Sequence, residues 1–280
     1  MQGASSTALM VCAYRARASR WARPIMTDRW AAALAGEEGE RIAAGFDVHW
    51  PAMEIWLALR VAYLDRLVAL ATDRLGARQV VILGAGYDTR AARLPKAGVR
   101  YFEVDHPDTQ AAKRERLATL PGYPIDAAIY APCDFEREDP VERLRAAGLD
   151  AREPTLVLWE GVVPYLNEAA VRATATTLAR GLDPRSLVAF DFVGKNMVTG
   201  ANLSTDDRGS RDYLGGLAEP VRFGSEHITP LLAACGYRWV RSVTFDELAL
   251  QFLGDYQRDR LFRFQRIALA SPSVVDAAWP

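Results

Sequence analysis

The 280-residue sequence predicts an α/β fold in which helices cover both faces of a largely parallel sheet. Short apolar runs rich in β-forming residues alternate with helical segments, and runs without a polar face are typical of parallel strands buried on both sides. Five such runs are 79–84, 100–104, 127–132, 155–161 and 187–194. Two further runs, 237–244 and 262–270, are expected to pair at the sheet edge.

The predicted helices begin with an N-terminal region. From residue 7 to about 75, apolar residues recur at three- and four-residue spacing, which predicts helices, and Gly76 ends the last of them. Later helices are predicted over 89–94, 107–118, 139–147, 168–180, 225–235 and 245–256.

One polar, glycine-rich stretch, 195–224, breaks the alternation and is predicted to be an inserted loop or cap. We therefore expect a single domain, 1–280, made of a helical lid (1–76), a ligand-binding core (77–194), the cap (195–224) and a C-terminal part of the sheet (225–280).

The composition disfavours several classes of function. The chain has 34 basic and 35 acidic residues, so no basic excess indicates a nucleic-acid groove. Cys12, Cys133 and Cys235 are far apart and odd in number, which predicts buried thiols rather than a disulfide framework or a zinc site. No apolar run reaches the roughly 18 residues of a membrane span. We expect a soluble, cytoplasmic protein that binds neither metal, membrane nor nucleic acid.

The first predicted strand ends in a glycine turn, "QVVILGAGYDTR", which then opens a helix. The carboxyl end of a parallel strand and the N-terminus of a helix both favour ligand binding, and glycine lets a ligand approach the backbone. An ordinary tight turn remains an alternative. Asp88 either caps the following helix or contacts the ligand, and Arg90 is expected at the surface.

Two carboxylates, Glu103 and Asp105, end the next strand at the spacing where a carboxylate accepts from ribose hydroxyls. Both belong to one face by period-two alternation, and we prefer Asp105 because it lies nearer the strand's carboxyl end. Thr89 stands where a dinucleotide fingerprint has its third glycine, which disfavours a pyrophosphate. A nucleoside ligand without phosphates, such as S-adenosylmethionine, remains compatible.

Together with "YFEVDHPDTQAAK", "CDFERED" and "LVLWEGVVPYL", this glycine block resembles the leucine carboxyl methyltransferase family. The resemblance covers about residues 7–270, except for little that matches in 195–224. It implies a Rossmann-like, seven-stranded methyltransferase sheet with an N-terminal helical extension and an inserted cap. It also implies methyl transfer from S-adenosylmethionine to an oxygen atom, with S-adenosylhomocysteine as product.

The resemblance also implies which residues bind the donor. Arg60 would pair with the donor's carboxylate, Glu160 would face its amino-acid end, and Asp105 would accept from the ribose. Glu160 has the alternative of a carboxylate buried for structure alone, although burying a charge is costly. The full set is Arg15, Arg60, Gly84, Ala85, Gly86, Asp88, Asp105, His106, Asp134, Phe135 and Glu160, with Asp134 and Phe135 beside the adenine.

The acceptor is expected to be a carboxylate on a small molecule, for example of polyketide type. A carboxylate has a pKa of about 4 and is already ionised, whereas a phenol needs a base. The three histidines have no visible acid–base partner, so we assign no catalytic residue. Candidates for holding the acceptor are Arg17, Arg208, Arg211 and Tyr213.

Other functions stay open at this point. One alternative is a phenol or hydroxyl O-methyltransferase, and another methylates the C-terminal carboxylate of a protein. A nicotinamide-dependent oxidoreductase and a non-catalytic protein that binds the donor or its product are disfavoured. The sequence leaves the acceptor, the pathway and the oligomeric state open.

Overall fold

The computed structural model describes residues 6–50, 52–135, 137–203, 205–216, 220–254 and 264–275. Its sheet has seven strands in the order β3-β2-β1-β4-β5-β7-β6. Their bounds are β1 Gln79–Leu83, β2 Arg100–Asp105, β3 Ala128–Pro132, β4 Thr155–Trp159, β5 Leu187–Val193, β6 Trp239–Thr244 and β7 Gln265–Ser271. Only β7 runs antiparallel to its neighbours, β5 and β6.

This topology confirms the predicted fold. Each predicted strand lies within three residues of its observed bounds, and β6 and β7 form the expected pair at the edge. The start of the last predicted strand and the end of the helix predicted over 245–256 lie outside the described residues. β1 and β4 are buried along their whole length, as strands covered on both faces must be.

Alternate strand residues contribute to two cores on opposite faces of the sheet. One face carries α1 Ser6–Ala18, α2 Ala31–Asp47, α3 Met53–Arg74, α4 Arg90–Arg93, α5 Pro107–Ala118, α8 Lys195–Thr199 and α11 Phe245–Leu253. The other face carries α6 Pro140–Ala146, α7 Glu168–Gly181 and α10 Ile228–Ala234. The three cysteines are buried free thiols, as predicted.

The N-terminal helices follow the predicted pattern. Gly76 adopts φ +67° just beyond α3, the left-handed conformation that ends a helix. α2 has an internal kink at Gly36, where φ is +60°. None of the helices in the described part of the chain combines the length and apolarity of a membrane span.

The segment 195–224 differs from the prediction of a loop, because it contains two helices. α8 ends at Gly200 in the left-handed conformation, and α9 runs over Thr205–Gly216. The Tyr213 ring on α9 meets the Phe46 ring of α2 edge-on, with centroids 4.8 Å apart. This contact with α2 stabilises a polar sequence that has little helix propensity of its own.

Candidate functional site

The glycine turn after β1 and the end of β2 are joined by a carboxylate. The N–H of Gly86 donates to Asp105 Oδ2 at 2.6 Å, and the N–H of His106 donates to Oδ1 at 2.7 Å. Gly84 and Gly86 have φ of +64° and +43°, so the turn requires residues without a β-carbon. Burial raises the pKa of Asp105, and these two N–H groups oppose that effect. The carboxylate is thereby held at the carboxyl edge of the sheet.

The space above the turn is narrow. A β-carbon on Gly84 would lie 2.3 Å from Cγ2 of Val162, a residue in the loop after β4. A β-carbon on Gly86 would lie 3.5 Å from that of Ala8 on α1. The turn is therefore approached both by the N-terminal helices and by the loop that carries Glu160.

Glu103, the other carboxylate of β2, has a different environment. It is 1% exposed, and its Oε2 accepts from Lys113 Nζ at 2.5 Å. Burial raises the pKa of Glu103 to about 7 despite the opposing charge of Lys113. Asp105 is thus the carboxylate of this strand that lies at the glycine turn.

Glu160 lies between two buried arginines. Its Oε1 accepts from Arg60 Nε at 2.9 Å, and its Oε2 accepts from Arg90 Nη1 at 2.6 Å. Arg60 Nη1 also donates to Asp191 Oδ2 at 2.9 Å. The exposed fractions of the side chains are 7% for Arg60, 1% for Arg90, 11% for Glu160 and 3% for Asp191. The four residues come from elements that are far apart in sequence, namely α3, α4, β5 and the loop after β4. They meet near the carboxyl ends of the central strands.

Further ion pairs extend this cluster into a network. Arg90 also pairs with Asp65 of α3 and with Asp88. Arg15 donates to the carbonyl of Tyr87 at 2.7 Å and lies 3.2 Å from Asp28. Arg93 connects Asp65 to Asp28. Among the described residues the network holds four arginines and five carboxylates, namely Arg15, Arg60, Arg90 and Arg93 with Asp28, Asp65, Asp88, Glu160 and Asp191.

The charges around Glu160 keep it ionised. Burial alone would raise its pKa, but the positive charges of Arg90 and Arg60 outweigh burial and lower the pKa to about 2. A carboxylate held this strongly is a poor proton acceptor at neutral pH, but it suits the binding of a cationic group.

The expectation that Arg90 lies at the surface is wrong. Its guanidinium is buried and pairs with carboxylates from α3 and from the loop after β4, which lie 25 and 70 residues away in the sequence. Asp88 accepts from the N–H of Arg90, the first residue of α4, at 2.6 Å, as a helix cap does, and it also pairs with the Arg90 guanidinium. Its contact with a ligand stays a prediction. Sequence reasoning missed Asp191, although a charge inside the apolar strand "LVAFDFV" is a signal.

The remaining predicted donor residues follow β2 and β3 along the same edge. His106 precedes α5 and accepts from the Asp108 N–H at 3.3 Å through Nδ1, so it caps that helix. The N–H of Cys133 donates to the carbonyl of Asp105 at 2.8 Å, which places Asp134 and Phe135 just beyond Asp105. Phe135 is half-buried against the core of the second sheet face. The predicted roles of these residues toward the adenosine stay predictions.

The predicted acceptor-binding residues mostly hold helices together. Arg17 pairs with Glu40 and Asp47 of α2, each at 2.7 Å. Arg211 donates to the carbonyl of Val198 at 3.3 Å, and Tyr213 packs on α2. Arg208 on α9 is exposed. Acceptor binding by these four residues stays a prediction.

Comparison with known proteins identifies the family of this chain. A model of the leucine carboxyl methyltransferase family matches residues 8–179, more than half of the chain. A relative from Mycobacteroides abscessus is 33% identical, with 69% of this chain and 68% of the relative covered. A relative from Mycolicibacterium gilvum is 36% identical, with 67% and 66% covered. Both are described as S-adenosyl-L-methionine-dependent methyltransferases.

Solved structures show the same fold at low identity. A DUF574 family protein from Streptomyces avermitilis superposes with a TM-score of 0.67 at 15% identity, covering 96% of this chain and 98% of that chain. A protein from Thermobifida fusca assigned as a methyltransferase gives a TM-score of 0.58 at 15% identity, covering 85% and 90%. The chain therefore belongs to the leucine carboxyl methyltransferase family of S-adenosylmethionine-dependent methyltransferases.

Proposed function

We propose that the protein transfers the methyl group of S-adenosylmethionine to a carboxylate oxygen of a small molecule. The reaction takes place at the carboxyl ends of the central strands, between the glycine turn and Glu160. The observation that carries this proposal is the buried Arg60–Glu160 pair, which follows the carboxyl end of β4 as Asp105 ends the nearby strand β2. Opposite charges and a further carboxylate are thus available at the carboxyl ends of the central strands. These are the groups that the donor's amino-acid and ribose parts require.

The network fits the charge of the donor. S-adenosylmethionine carries a sulfonium, an ammonium and a carboxylate, and hence one net positive charge. With every group ionised, the four arginines and five carboxylates of the network sum to one net negative charge. In addition, Nη2 of Arg90 is buried and has no hydrogen-bond partner among the described residues. A buried donor group of this kind is costly unless a ligand or water satisfies it.

The reaction needs positioning more than acid–base chemistry. When bound, the donor supplies an activated methyl group on a good leaving group. The protein's contribution is to bind the donor through Asp105, Arg60 and Glu160, to hold an acceptor in line, and to exclude water. The narrow space between Val162, Ala8 and the glycine turn serves the exclusion of water.

A carboxylate acceptor suits the residues present. Glu160 is held ionised by two arginines. Of the three histidines, none is bonded to a buried carboxylate in the part of the chain that the structure describes, and His106 acts as a helix cap. An acceptor that is ionised at neutral pH needs no proton acceptor from the protein.

The test is a transfer assay with methyl-labelled S-adenosylmethionine. The acceptor panel contains small carboxylic acids, the matching phenols, and peptides with a free C-terminal carboxylate. We expect label in a base-labile ester of a small acid, at a rate that changes little between about pH 6 and 9 because the acceptor stays ionised. Transfer only to phenols, or only to peptides, would contradict the proposed acceptor. Titration with NADH as a parallel ligand tests the oxidoreductase alternative.

A further inference from the structure

The Arg60–Glu160 pair is built so that it can open without leaving either charge alone. Glu160 uses one oxygen for Arg60 and the other for Arg90. Arg60 uses Nε for Glu160 and Nη1 for Asp191. Because the two contacts of each group use different atoms, separation of Arg60 from Glu160 leaves both with a partner of opposite charge.

We propose that the Arg60–Glu160 ion pair stands in for the amino-acid end of the donor, and that Arg90 and Asp191 are positioning residues that hold the two groups when the pair opens. This inference rests on the proposed function. On donor binding, Arg60 exchanges Glu160 for the donor carboxylate, and Glu160 exchanges Arg60 for the donor ammonium. Arg60 and Glu160 then each have two partners of opposite charge both before and after donor binding.

Burial makes the two positioning residues necessary. Arg60 and Glu160 are 7% and 11% exposed, and an unpaired charge at such a site is strongly destabilising. Without Asp191, the guanidinium of Arg60 would have Glu160 as its only ion-pair partner among the described residues. Exchange of Glu160 for a ligand would then leave the buried guanidinium briefly unpaired, which raises the free-energy cost of the exchange.

Both positioning residues are themselves fixed. Arg90 pairs with Asp65 and Asp88 as well as with Glu160. Asp191 accepts from the Gly161 N–H at 2.6 Å, next to Glu160 in the chain. A β-carbon on Gly161, where φ is +69°, would lie 3.4 Å from Nη2 of Arg60, so the loop backbone closely approaches the guanidinium. The arrangement holds its shape independently of the central ion pair.

The arrangement recognises a zwitterion, and a pair of ligands separates this role from general structural support. S-adenosylhomocysteine has both the adenosine and the amino-acid end, whereas methylthioadenosine has only the adenosine and the sulfur. Substitution of a residue that acts through Arg60 or Glu160 weakens the binding of S-adenosylhomocysteine but not of methylthioadenosine. Substitution of a residue that supports the fold weakens the binding of both ligands.

The experiment measures both ligands by calorimetry on Asp191→Asn and Arg90→Gln. We expect S-adenosylhomocysteine to bind about 10-fold or more weakly, the size of a lost charged hydrogen bond, while methylthioadenosine stays within about 2-fold of wild type. Asp105→Ala should weaken both ligands. Arg172→Gln, which removes an exposed ion pair with Glu168 on α7, should weaken neither.

The outcomes separate the two claims. Equal losses for both ligands, or no loss for S-adenosylhomocysteine, would overturn the positioning role. Failure of the wild-type protein to bind S-adenosylhomocysteine would instead contradict the proposed function. Circular dichroism and thermal unfolding establish that each variant is folded. If Arg90→Gln does not fold, Asp191→Asn decides the question, because the amide keeps the shape of the side chain and still accepts from Gly161.

Discussion

Asp105 and Glu103 differ in environment although they lie two residues apart on the same face of β2. Asp105 is at the end of the strand, where N–H groups of the loops donate to it. Glu103 lies two residues earlier in the strand, further inside the sheet, where Lys113 of α5 pairs with it. The residue nearer the edge is available to a ligand, and the deeper one stabilises the attachment of α5 to the sheet.

Substitution of Asp105 should change ligand affinity, whereas substitution of Glu103 should change the stability of the fold. Asp105→Ala should weaken S-adenosylhomocysteine by at least about 10-fold, because charged hydrogen bonds to the ribose are lost. Glu103→Gln leaves Lys113 buried without an ion-pair partner and should lower the free energy of unfolding by roughly 3 kcal/mol, with little change in affinity. Calorimetry and urea unfolding measure the two effects. Wild-type affinity in Asp105→Ala, with a loss in Glu103→Gln, would transfer the ribose role to Glu103.

The acid dependence of stability should report the state of Glu160. Its pKa is about 2 in the folded protein against an ordinary value of 4.5. Between these two values the unfolded chain binds more protons than the native one, so the contribution of Glu160 to stability is present above pH 4.5 and is lost as the pH falls toward 2.

In Glu160→Gln this contribution is absent. The free energy of unfolding should therefore fall less steeply from pH 5 to pH 3 than in the wild type, as measured by urea unfolding at a series of pH values. Glu168→Gln at the exposed start of α7 is the matched control and should keep the wild-type slope. An unchanged slope in Glu160→Gln would mean that the arginines do not hold Glu160 ionised.

At the scale of elements, the sequence predicts the strands, helices and helix ends that depend on local sequence pattern. The seven strands and most helices follow from apolar periodicity, and Gly76 and Gly236 mark helix ends. α9 could not be predicted in this way. Its sequence, "TDDRGSRDYLGG", is polar and rich in glycine, and its packing depends on Phe46, about 170 residues earlier in the chain.

The docking of α9 on α2 can be tested at Gly45. A β-carbon there would lie 2.1 Å from Tyr213 Oη, so Gly45→Ala should displace the tyrosine and loosen α9. Alanine also favours the helical state of α2 by up to about 1 kcal/mol, so the global stability should change little. Trypsin cleavage after Arg208 and Arg211 should become faster, which mass spectrometry of a limited digest measures.

A double variant provides the control for this prediction. Adding Tyr213→Phe to Gly45→Ala removes the hydroxyl oxygen that meets the new β-carbon but leaves ring carbon Cζ at 2.8 Å, so it should restore part of the protection. The ring contact with Phe46 remains in the double variant. If Gly45→Ala left cleavage at the wild-type rate, α9 would not depend on this contact.

At the scale of the molecule, the ion-pair network joins the N-terminal helices to the sheet. Arg15 comes from α1 and Arg60 from α3, while their partners come from the loop before α2, the loop after β4, and β5. Sequence reasoning placed Arg15, Arg60 and Glu160 at one site only through the family resemblance. The contacts between residues 60 and 160, and between 60 and 191, span distances along the chain that periodicity does not encode.

Because the network crosses these elements, a ligand bound to it should stabilise the N-terminal helices together with the sheet. At about 100 times its dissociation constant, S-adenosylhomocysteine should add about 2.7 kcal/mol and raise Tm by roughly 5 °C. Hydrogen exchange should slow in α1 and α3 as well as in residues 79–105. Methylthioadenosine has no amino-acid end to engage Arg60, so at equal saturation it should protect 79–105 with less effect on α3. Protection by S-adenosylhomocysteine that is confined to 79–105 would show that Arg15 and Arg60 lie outside the binding site, because a ligand can slow exchange only where its contacts add stability.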